Sequence, residues 1–201
     1  AFDWSGNERH ATTTGGVTFG TASALTDLDT AATFNGSSGE GNANGINVAG
    51  GSFTVEAWLK HNLSGTDDYA VGQGSSASNN GLHFGFRSSN AFTCAFYNND
   101  LNTAAYTDTG WHHWACTYDA ATNSRKIYRD GVLQVSDTAS ADYGGTGSLR
   151  IGNSPVSAFF SGVIDEVAVY PAALSAARLA DHVTKATSPY PGLMRYEIHR
   201  S

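Results

Sequence analysis

An aromatic residue followed by three polar ones forms the segment of this sequence best suited to hold a sugar. Tyr97 offers a flat ring, and amide and carboxylate groups follow it at once, from Asn98, Asn99 and Asp100. Sugars are held by an aromatic surface together with a few hydrogen-bonding groups, often on loops. His83 and Arg87 lie in a neighbouring predicted strand. We therefore predict a ligand site at these six residues, with an ordinary strand end and turn as the alternative.

The carboxylates do not form the arrangement that glycoside hydrolysis requires, which is two carboxyl groups facing one another across a cleft. Asp165 and Glu166 are adjacent in a predicted strand, so their side chains point to opposite faces of the sheet. The predicted strands offer no other pair of carboxylates two residues apart, and no Ser-His-Asp or Cys-His grouping can be argued. We therefore expect that the protein is not an enzyme.

Two histidines and two cysteines are further candidates for chemistry. His112 and His113 are neighbours in a predicted strand and face opposite sides, so they cannot bind one metal ion through one face. Cys94 and Cys116 occupy inward-facing strand positions. We favour two small buried hydrophobes, with a disulfide as the alternative, because two thiols fix no framework.

Composition and charge narrow the class of protein. The 201 residues carry a net charge of -7, with 14% charged residues and 23 glycines, which is typical of many short strands joined by tight turns. The nearest approach to a basic patch, around Arg125, Lys126 and Arg129, is flanked by acidic residues. We interpret it as a solvated strand and turn, and we expect no nucleic-acid partner. No apolar run approaches the roughly 18 residues of a membrane span, so we expect no membrane insertion.

Alternating apolar and polar residues predict an all-β protein with one short helix. The candidate strands are 31–35, 45–48, 53–61, 69–72, 82–87, 91–98, 111–118, 125–129, 132–137, 148–152 and 162–170. Asp130-Gly131 predicts a two-residue hairpin turn, because a type I′ turn needs positive φ at both positions. Ser175 can cap a helix over 176–183, and 184–192 reads as a linker with two prolines.

Six segments in a fixed order carry a family resemblance. They are D-W-S-G-N at 3–7, A-A-T-F-N-G at 31–36, F-T-V-E-A-W at 53–58, G-W-H-H-W-A-C-T-Y-D at 110–119, I-Y-R-D-G at 127–131 and G-V-I-D-E-V-A-V-Y at 162–170. Together they resemble the laminin-G-like domains, which are concanavalin A-like jelly rolls related to pentraxins. The resemblance implies one domain over residues 1–183, built as a two-sheet antiparallel jelly-roll sandwich with the helix on one edge.

The resemblance also implies a structural calcium ion, which related jelly rolls hold where the N-terminal loop meets the last strand. Asp3 and Asn7 match the loop and Asp165 matches the strand, so these residues are the expected ligands, with backbone carbonyls completing the six to eight oxygens. The alternative is an Asx turn in the loop and a strand-end hydrogen bond at Asp165. The E-x-D-x-x-E pattern of related glucanases is absent, which again favours a non-catalytic protein.

The family usually begins with a strand before the D-x-S-G-N loop, whereas this sequence begins at the loop. Residues 193–201 resemble that strand, and we expect them to complete the sandwich, within the chain or in a neighbouring copy. A plain tail is the alternative.

The function that these observations favour is a non-catalytic carbohydrate-binding or adhesion module with a structural calcium. Its expected partner is a glycan or a surface or virion protein, and its expected place is outside the cell or at a cell or virion surface. The alternative is a structural or decoration domain of a phage virion or bacterial surface assembly without a sugar pocket. In both cases we expect it to belong to a larger protein or assembly.

Overall fold

A computed structural model of the chain describes residues 5–25 and 29–188, which form fourteen strands and one helix. Asp3 and the predicted strand over 193–201 lie outside the described residues, so the pairing of that segment stays a prediction. Among the residues described, no helix combines the length and the apolar character that a membrane crossing needs.

The strands form two antiparallel sheets of seven strands each. In chain order the elements are β1 (Ala11–Thr14), β2 (Val17–Ala22), β3 (Thr30–Asn35), β4 (Glu40–Ala43), β5 (Phe53–His61), β6 (Asp68–Gly74), β7 (Gly81–Phe86), β8 (Ala91–Ala95), β9 (Asp100–Ala105), β10 (Trp111–Asp119), β11 (Ser124–Arg129), β12 (Val132–Thr138), β13 (Leu149–Ile151), β14 (Ser161–Tyr170) and α1 (Ala176–Thr187). Sheet A has the order β1-β4-β13-β6-β7-β8-β9, and sheet B has the order β12-β11-β10-β5-β14-β3-β2. This arrangement confirms the predicted jelly-roll sandwich.

Strand β5 shows why the alternation of this sequence produces a sandwich. Phe53, Val55 and Ala57 point into the core between the sheets and are fully buried. Thr54 and Glu56 point to the outer face of sheet B and are buried as well, because α1 packs over that face. The strand is therefore covered on both sides.

Helix α1 begins where the sequence predicts and ends later. Ser175 accepts a hydrogen bond from the backbone N–H of Arg178, so it is the N-cap, and the helix continues to Thr187. Residues 184–187 are therefore helical, and the prediction of a linker there is wrong. Leu179 is fully buried against Ala115 and Tyr128 of sheet B. A short helix needs such packing, because isolated helices of this length are marginal in water.

A disulfide bond joins the two sheets. Cys94 of β8 and Cys116 of β10 are both fully buried and are bonded, with Cα atoms 6.1 Å apart. The expectation of two separate thiols is therefore wrong. The inward-facing positions of the two strands oppose one another across the core at a distance that a disulfide spans. The sequence shows that both cysteines face inward, but not which residues face each other.

The position of Arg125 also differs from the prediction. Its side chain is fully buried instead of solvated, and it forms an ion pair with Asp137 at 2.6 Å. It also donates to the backbone oxygen of Asn99 at 2.7 Å and lies over the ring of Phe96. A buried guanidinium needs partners of this kind, and the residues that supply them come from distant parts of the chain.

Turns and short strands account for the remaining differences. Asp130 and Gly131 both have positive φ, as the hairpin prediction requires. Residues 45–48 do not form a strand, and the strand predicted over 91–98 ends at Ala95, after which the chain turns. The sequence prediction missed β1, β2, β4 and β9, which are short and carry few large apolar residues.

Candidate functional site

The outer face of sheet A carries most of the predicted ligand residues. In β7 the side chains alternate, so Phe84 and Phe86 enter the core while His83 lies on the outer face, followed on that face by Arg87. We use the name Arg87 face for the group formed by Asp67, Tyr69, His83, Arg87, Tyr97 and Asp100. Hydrogen bonds or ring contacts link each member to another.

Arg87 is the centre of this face, and its guanidinium is held by groups from two other segments. Its Nη1 donates to the Tyr69 hydroxyl at 2.7 Å and to Asp67 Oδ2 at 3.3 Å. Its Nη2 donates to Asp100 Oδ2 at 2.8 Å. The exposed fraction of the side chain is 22% for Arg87, 32% for Asp100 and 41% for Asp67. The group is therefore ordered by its own contacts and still meets solvent.

The Asp67 carboxylate is charged and fixed in place. Burial opposes its charge, but hydrogen bonds from the Ser88 backbone N–H, Tyr69 and Arg87 outweigh burial and hold the pKa of Asp67 below its usual value. Burial raises the pKa of Tyr69, so its hydroxyl stays protonated and donates to Asp67 Oδ2 at 2.8 Å. The Arg87 face therefore has one cation and two carboxylates around a neutral phenol.

His83 is the unusual member of the Arg87 face. It is 3% exposed, and within the described residues neither ring nitrogen has a hydrogen-bond partner. Its ring stacks on Tyr69 at 4.6 Å and meets the edge of Tyr97 at 5.9 Å. Burial, with the nearby charge of Arg87, lowers the pKa of His83 to about 4, so the ring is neutral near neutral pH. Buried polar groups without partners are rare in folded proteins.

The turn after β8 divides the four residues predicted as a ligand segment. Tyr97 and Asn98 both have positive φ, and Tyr97 is half-buried while Asn98 is exposed and donates to Ser78. Asn99 turns inward, where its side chain bonds to Asn79 and Arg125. Asn99 therefore holds the turn, and Tyr97 and Asp100 lie on the Arg87 face.

Asp67, like Tyr69, lies outside the six ligand residues that the sequence predicts. It meets Arg87 because β6 pairs with β7 in a register that sets Asp68 opposite Phe86. The residues just beyond that pair are then neighbours across the two strands. A sequence shows the alternation of side chains along a strand but not the register between two strands. The signal that could have suggested a role for Asp67 is its position two residues before Tyr69.

Two other tyrosines, Tyr106 and Tyr143, have structural contacts elsewhere. Tyr143 is buried in the core and donates to the Gln73 backbone oxygen at 2.9 Å. Tyr106 bonds to Gln134 and packs edge-on against Trp114. Neither belongs to the Arg87 face.

The predicted calcium ligands lie at a different place. Asn7 and Asp165 both line an open cleft of about 1160 Å³ between the sheets, while Asp3 lies outside the described residues. Asp165 Oδ2 accepts hydrogen bonds from Ser23 Oγ at 2.8 Å and from the Ala24 N–H at 3.0 Å. The described part of the chain contains no group of three or more His, Cys, Asp or Glu that could hold a metal ion. It thus supplies one carboxylate and one amide toward six to eight oxygens, and the calcium site stays a prediction.

The adjacent histidines of β10 point to opposite faces, as predicted. His113 is buried under α1, with its Nε2 3.4 Å from Glu56 Oε2. Glu56 also accepts hydrogen bonds from Tyr170 and from His182 of the helix. Burial opposes the charge of Glu56, but its hydrogen bonds with the two histidines lower the pKa of Glu56 overall. This cluster attaches α1 to sheet B.

His112 lies on the inner face at the edge of the sandwich. It contacts Asp108 and lies 2.7 Å from Asp130 Oδ2, and Arg129 donates to the same Asp108. These contacts fix the turn before β10 to the hairpin that follows β11.

Comparison with known proteins agrees with this architecture. Residues 35–180 match the laminin G-type family described as the concanavalin A-like lectin/glucanases superfamily. The chain belongs to that family. The search of curated proteins gives no match.

Solved structures of similar fold include parts of larger proteins. Domain 4 of AbnA, a GH43 extracellular arabinanase from Geobacillus stearothermophilus solved with arabinotriose, is 20% identical with a TM-score of 0.67, over 85% of this chain and 86% of that one. The binding domain of Paraclostridial Mosquitocidal Protein 1 is 15% identical with a TM-score of 0.68, over 92% of this chain and 49% of that one. A botulinum neurotoxin type C structure is 15% identical with a TM-score of 0.67, over 93% of this chain and 49% of that one. Its description concerns the interaction of that toxin with two ganglioside molecules. This chain thus spans about half the length of the toxin chains. At these identities the likeness concerns the fold.

Proposed function

We propose that the protein is a non-catalytic carbohydrate-binding module that holds a glycan on the Arg87 face. The observation that carries the proposal is an ordered Arg87 between two carboxylates, beside the half-buried ring of Tyr97 and the unpartnered imidazole of His83. An aromatic ring with a few fixed polar groups is the usual composition of a small-ligand site.

The polar groups of the face are suited to sugar hydroxyls. Asp100 Oδ1 accepts no hydrogen bond from the described residues and faces solvent in part, so it can accept one from a hydroxyl. A neutral imidazole both donates and accepts, and a hydroxyl can do the same. A ligand hydroxyl that reaches His83 past Tyr97 would supply the partner that the folded domain lacks.

The wider setting of the proposal follows from the family and the fold. AbnA domain 4 belongs to an extracellular arabinanase and was solved with arabinotriose, and the Mosquitocidal Protein 1 structure is described as a binding domain. We propose by this likeness that the present domain acts outside the cell or at a cell or virion surface, as part of a larger protein or assembly. We also keep the proposal of a structural calcium at Asp3, Asn7 and Asp165, which the family resemblance motivates.

A second function, a structural or decoration domain of a virion or surface assembly, has one observation in its favour. Strand β12 is an edge strand of sheet B, and its Val132 and Leu133 are 62% and 48% exposed. An edge strand with exposed apolar residues can pair with a neighbouring chain.

Glycan binding by the purified chain tests the first function. The chain is applied to an array of neutral and acidic oligosaccharides, and a positive glycan is titrated calorimetrically against the wild type and the Arg87→Gln variant. Without the guanidinium, the carboxylates of Asp67 and Asp100 lose the charged partner that holds them in place, so binding should weaken about tenfold or more. The matched control is Arg178→Gln, which removes an exposed arginine of α1 that pairs with Asp181.

Equal melting temperatures for the two variants would show that both are folded. Binding that Arg87→Gln retains in full would place the glycan elsewhere. The absence of binding to any glycan on the array would refute the carbohydrate proposal and favour the assembly function. Light scattering of the wild-type chain and of the Leu133→Lys variant can then test for assembly.

A further inference from the structure

The Arg87 face carries a net negative charge, although an arginine lies at its centre. Arg87 contributes +1, and Asp67 and Asp100 contribute -2, so the sum is -1. His83 adds no charge near neutral pH because burial keeps its ring neutral. The charged groups that act on both Tyr69 and His83 are these same three residues.

The donor groups of Arg87 are also largely engaged within the protein. Nη1 serves Tyr69 and Asp67, Nη2 serves Asp100, and Nε lies 3.4 Å from Asn102 Oδ1. An arginine recognises a carboxylate through two parallel N–H groups, and here that fork is already directed at aspartates of the protein. An incoming acidic group would have to displace one of them.

We infer that the Arg87 face selects uncharged glycans and discriminates against sugars that carry a carboxylate. The inference rests on the proposed function and adds the class of ligand. The free carboxylate oxygen of the face is Asp100 Oδ1, which requires a ligand that donates a hydrogen bond, as a sugar hydroxyl does. A uronic or sialic acid brings a second acceptor and a like charge to the same place.

Matched glycans that differ in one acidic unit test the selectivity. Xylo- and galacto-oligosaccharides with and without a terminal uronic or sialic acid are titrated against the wild-type chain at low and at physiological ionic strength. We expect the acid to weaken binding roughly two- to fivefold, the range of exposed charge pairs, with a larger effect at low salt.

The variant Asp100→Asn links the effect to this face. It keeps an oxygen for Arg87 and brings the net charge of the face to zero. Neutral and acidic glycans should therefore bind this variant with equal affinity. Asp181→Asn is the control, because it removes the same charge from an exposed position on α1. It should leave the difference in affinity between neutral and acidic glycans unchanged.

The outcomes separate the inference from the function on which it rests. Acidic glycans that bind as tightly as neutral ones, or more tightly, with binding lost in Arg87→Gln, would overturn the selectivity and keep the site. The selectivity would also be overturned if Asp100→Asn and Asp181→Asn changed the difference in affinity between neutral and acidic glycans equally. The cause would then be the net charge of the domain. If no glycan of either kind binds, the proposed function itself fails.

Discussion

Replacing His83 by phenylalanine should make the domain more stable. A buried polar group without a partner costs about 1–3 kcal/mol, and the His83 ring has two such nitrogens in the described structure. Phenylalanine keeps a ring that can stack on Tyr69, where the centroids now lie 4.6 Å apart. Its slightly larger ring costs part of that gain. We expect a net gain of about 1 kcal/mol near neutral pH, or a rise of about 2–4 °C in melting temperature.

The gain should grow as the pH falls. In the unfolded chain the His83 imidazole takes up a proton below its ordinary pKa of 6.5, whereas in the folded domain it stays neutral until about pH 4. The unfolded state therefore binds more protons across this window, and the wild type loses stability on acidification. Between about pH 7 and pH 5 this loss amounts to about 2 kcal/mol, which the phenylalanine variant avoids.

His61 provides a matched control with the opposite expected sign. Its ring is also buried and stacks on Phe86 at 4.0 Å, but its Nε2 lies 3.0 Å from the fully buried carboxylate of Asp68. His61→Phe would remove that partner and should destabilise the domain by about 1.5–3 kcal/mol.

Urea denaturation at both pH values measures all three proteins. The reasoning would be refuted by a His83→Phe variant that is less stable than the wild type, or by a difference that does not grow at acid pH. Under the proposed function, the same variant should bind glycan more weakly, because stability gained at a binding site commonly costs function.

Three further changes have expected outcomes. Cys94→Ala with Cys116→Ala should lower the free energy of unfolding by about 3 kcal/mol, since the bond closes a loop with a sequence separation of 22; urea denaturation measures this, and unchanged stability would argue against the bond. Calcium should raise the melting temperature of the wild type and a chelator should lower it, and neither reagent should affect the Asp165→Asn variant. A wild-type melting temperature that neither reagent changes would contradict the calcium proposal. Deletion of residues 190–201 should lower the melting temperature if that segment completes a sheet, whereas a plain tail would leave it unchanged.

The fold was largely predictable because its central strands carry strong signals. β5, β10 and β14 alternate over nine or ten residues, and their motifs identify the family. The edge strands β1 and β2 are rich in threonine and only partly buried, so their alternation is weak. These two strands form because each pairs with a neighbouring strand, and the local sequence does not show that pairing.

The candidate site was predictable in its residue types and less so in its partners. His83 and Arg87 share a face by simple alternation, and Asp100 joins them through the turn after β8. Asn99 belongs to the interior because Arg125, which the sequence suggested to be solvated, needs its oxygens. The pairing of Asp67 with Arg87 depends on strand register, and the cysteine bond depends on how the two sheets face each other.

The disulfide bears on the entropy of ligand binding. Cys94 lies beside Phe84 in the pairing of β8 with β7, so the bond connects the strand next to His83 and Arg87 to the middle of sheet B. The backbone beneath the Arg87 face is thus constrained before any ligand arrives. Binding then has little backbone freedom left to remove, and preorganised sites of this kind gain affinity by avoiding that loss. In a reducing medium, glycan affinity should therefore decline through an unfavourable entropy of binding even where the domain remains folded.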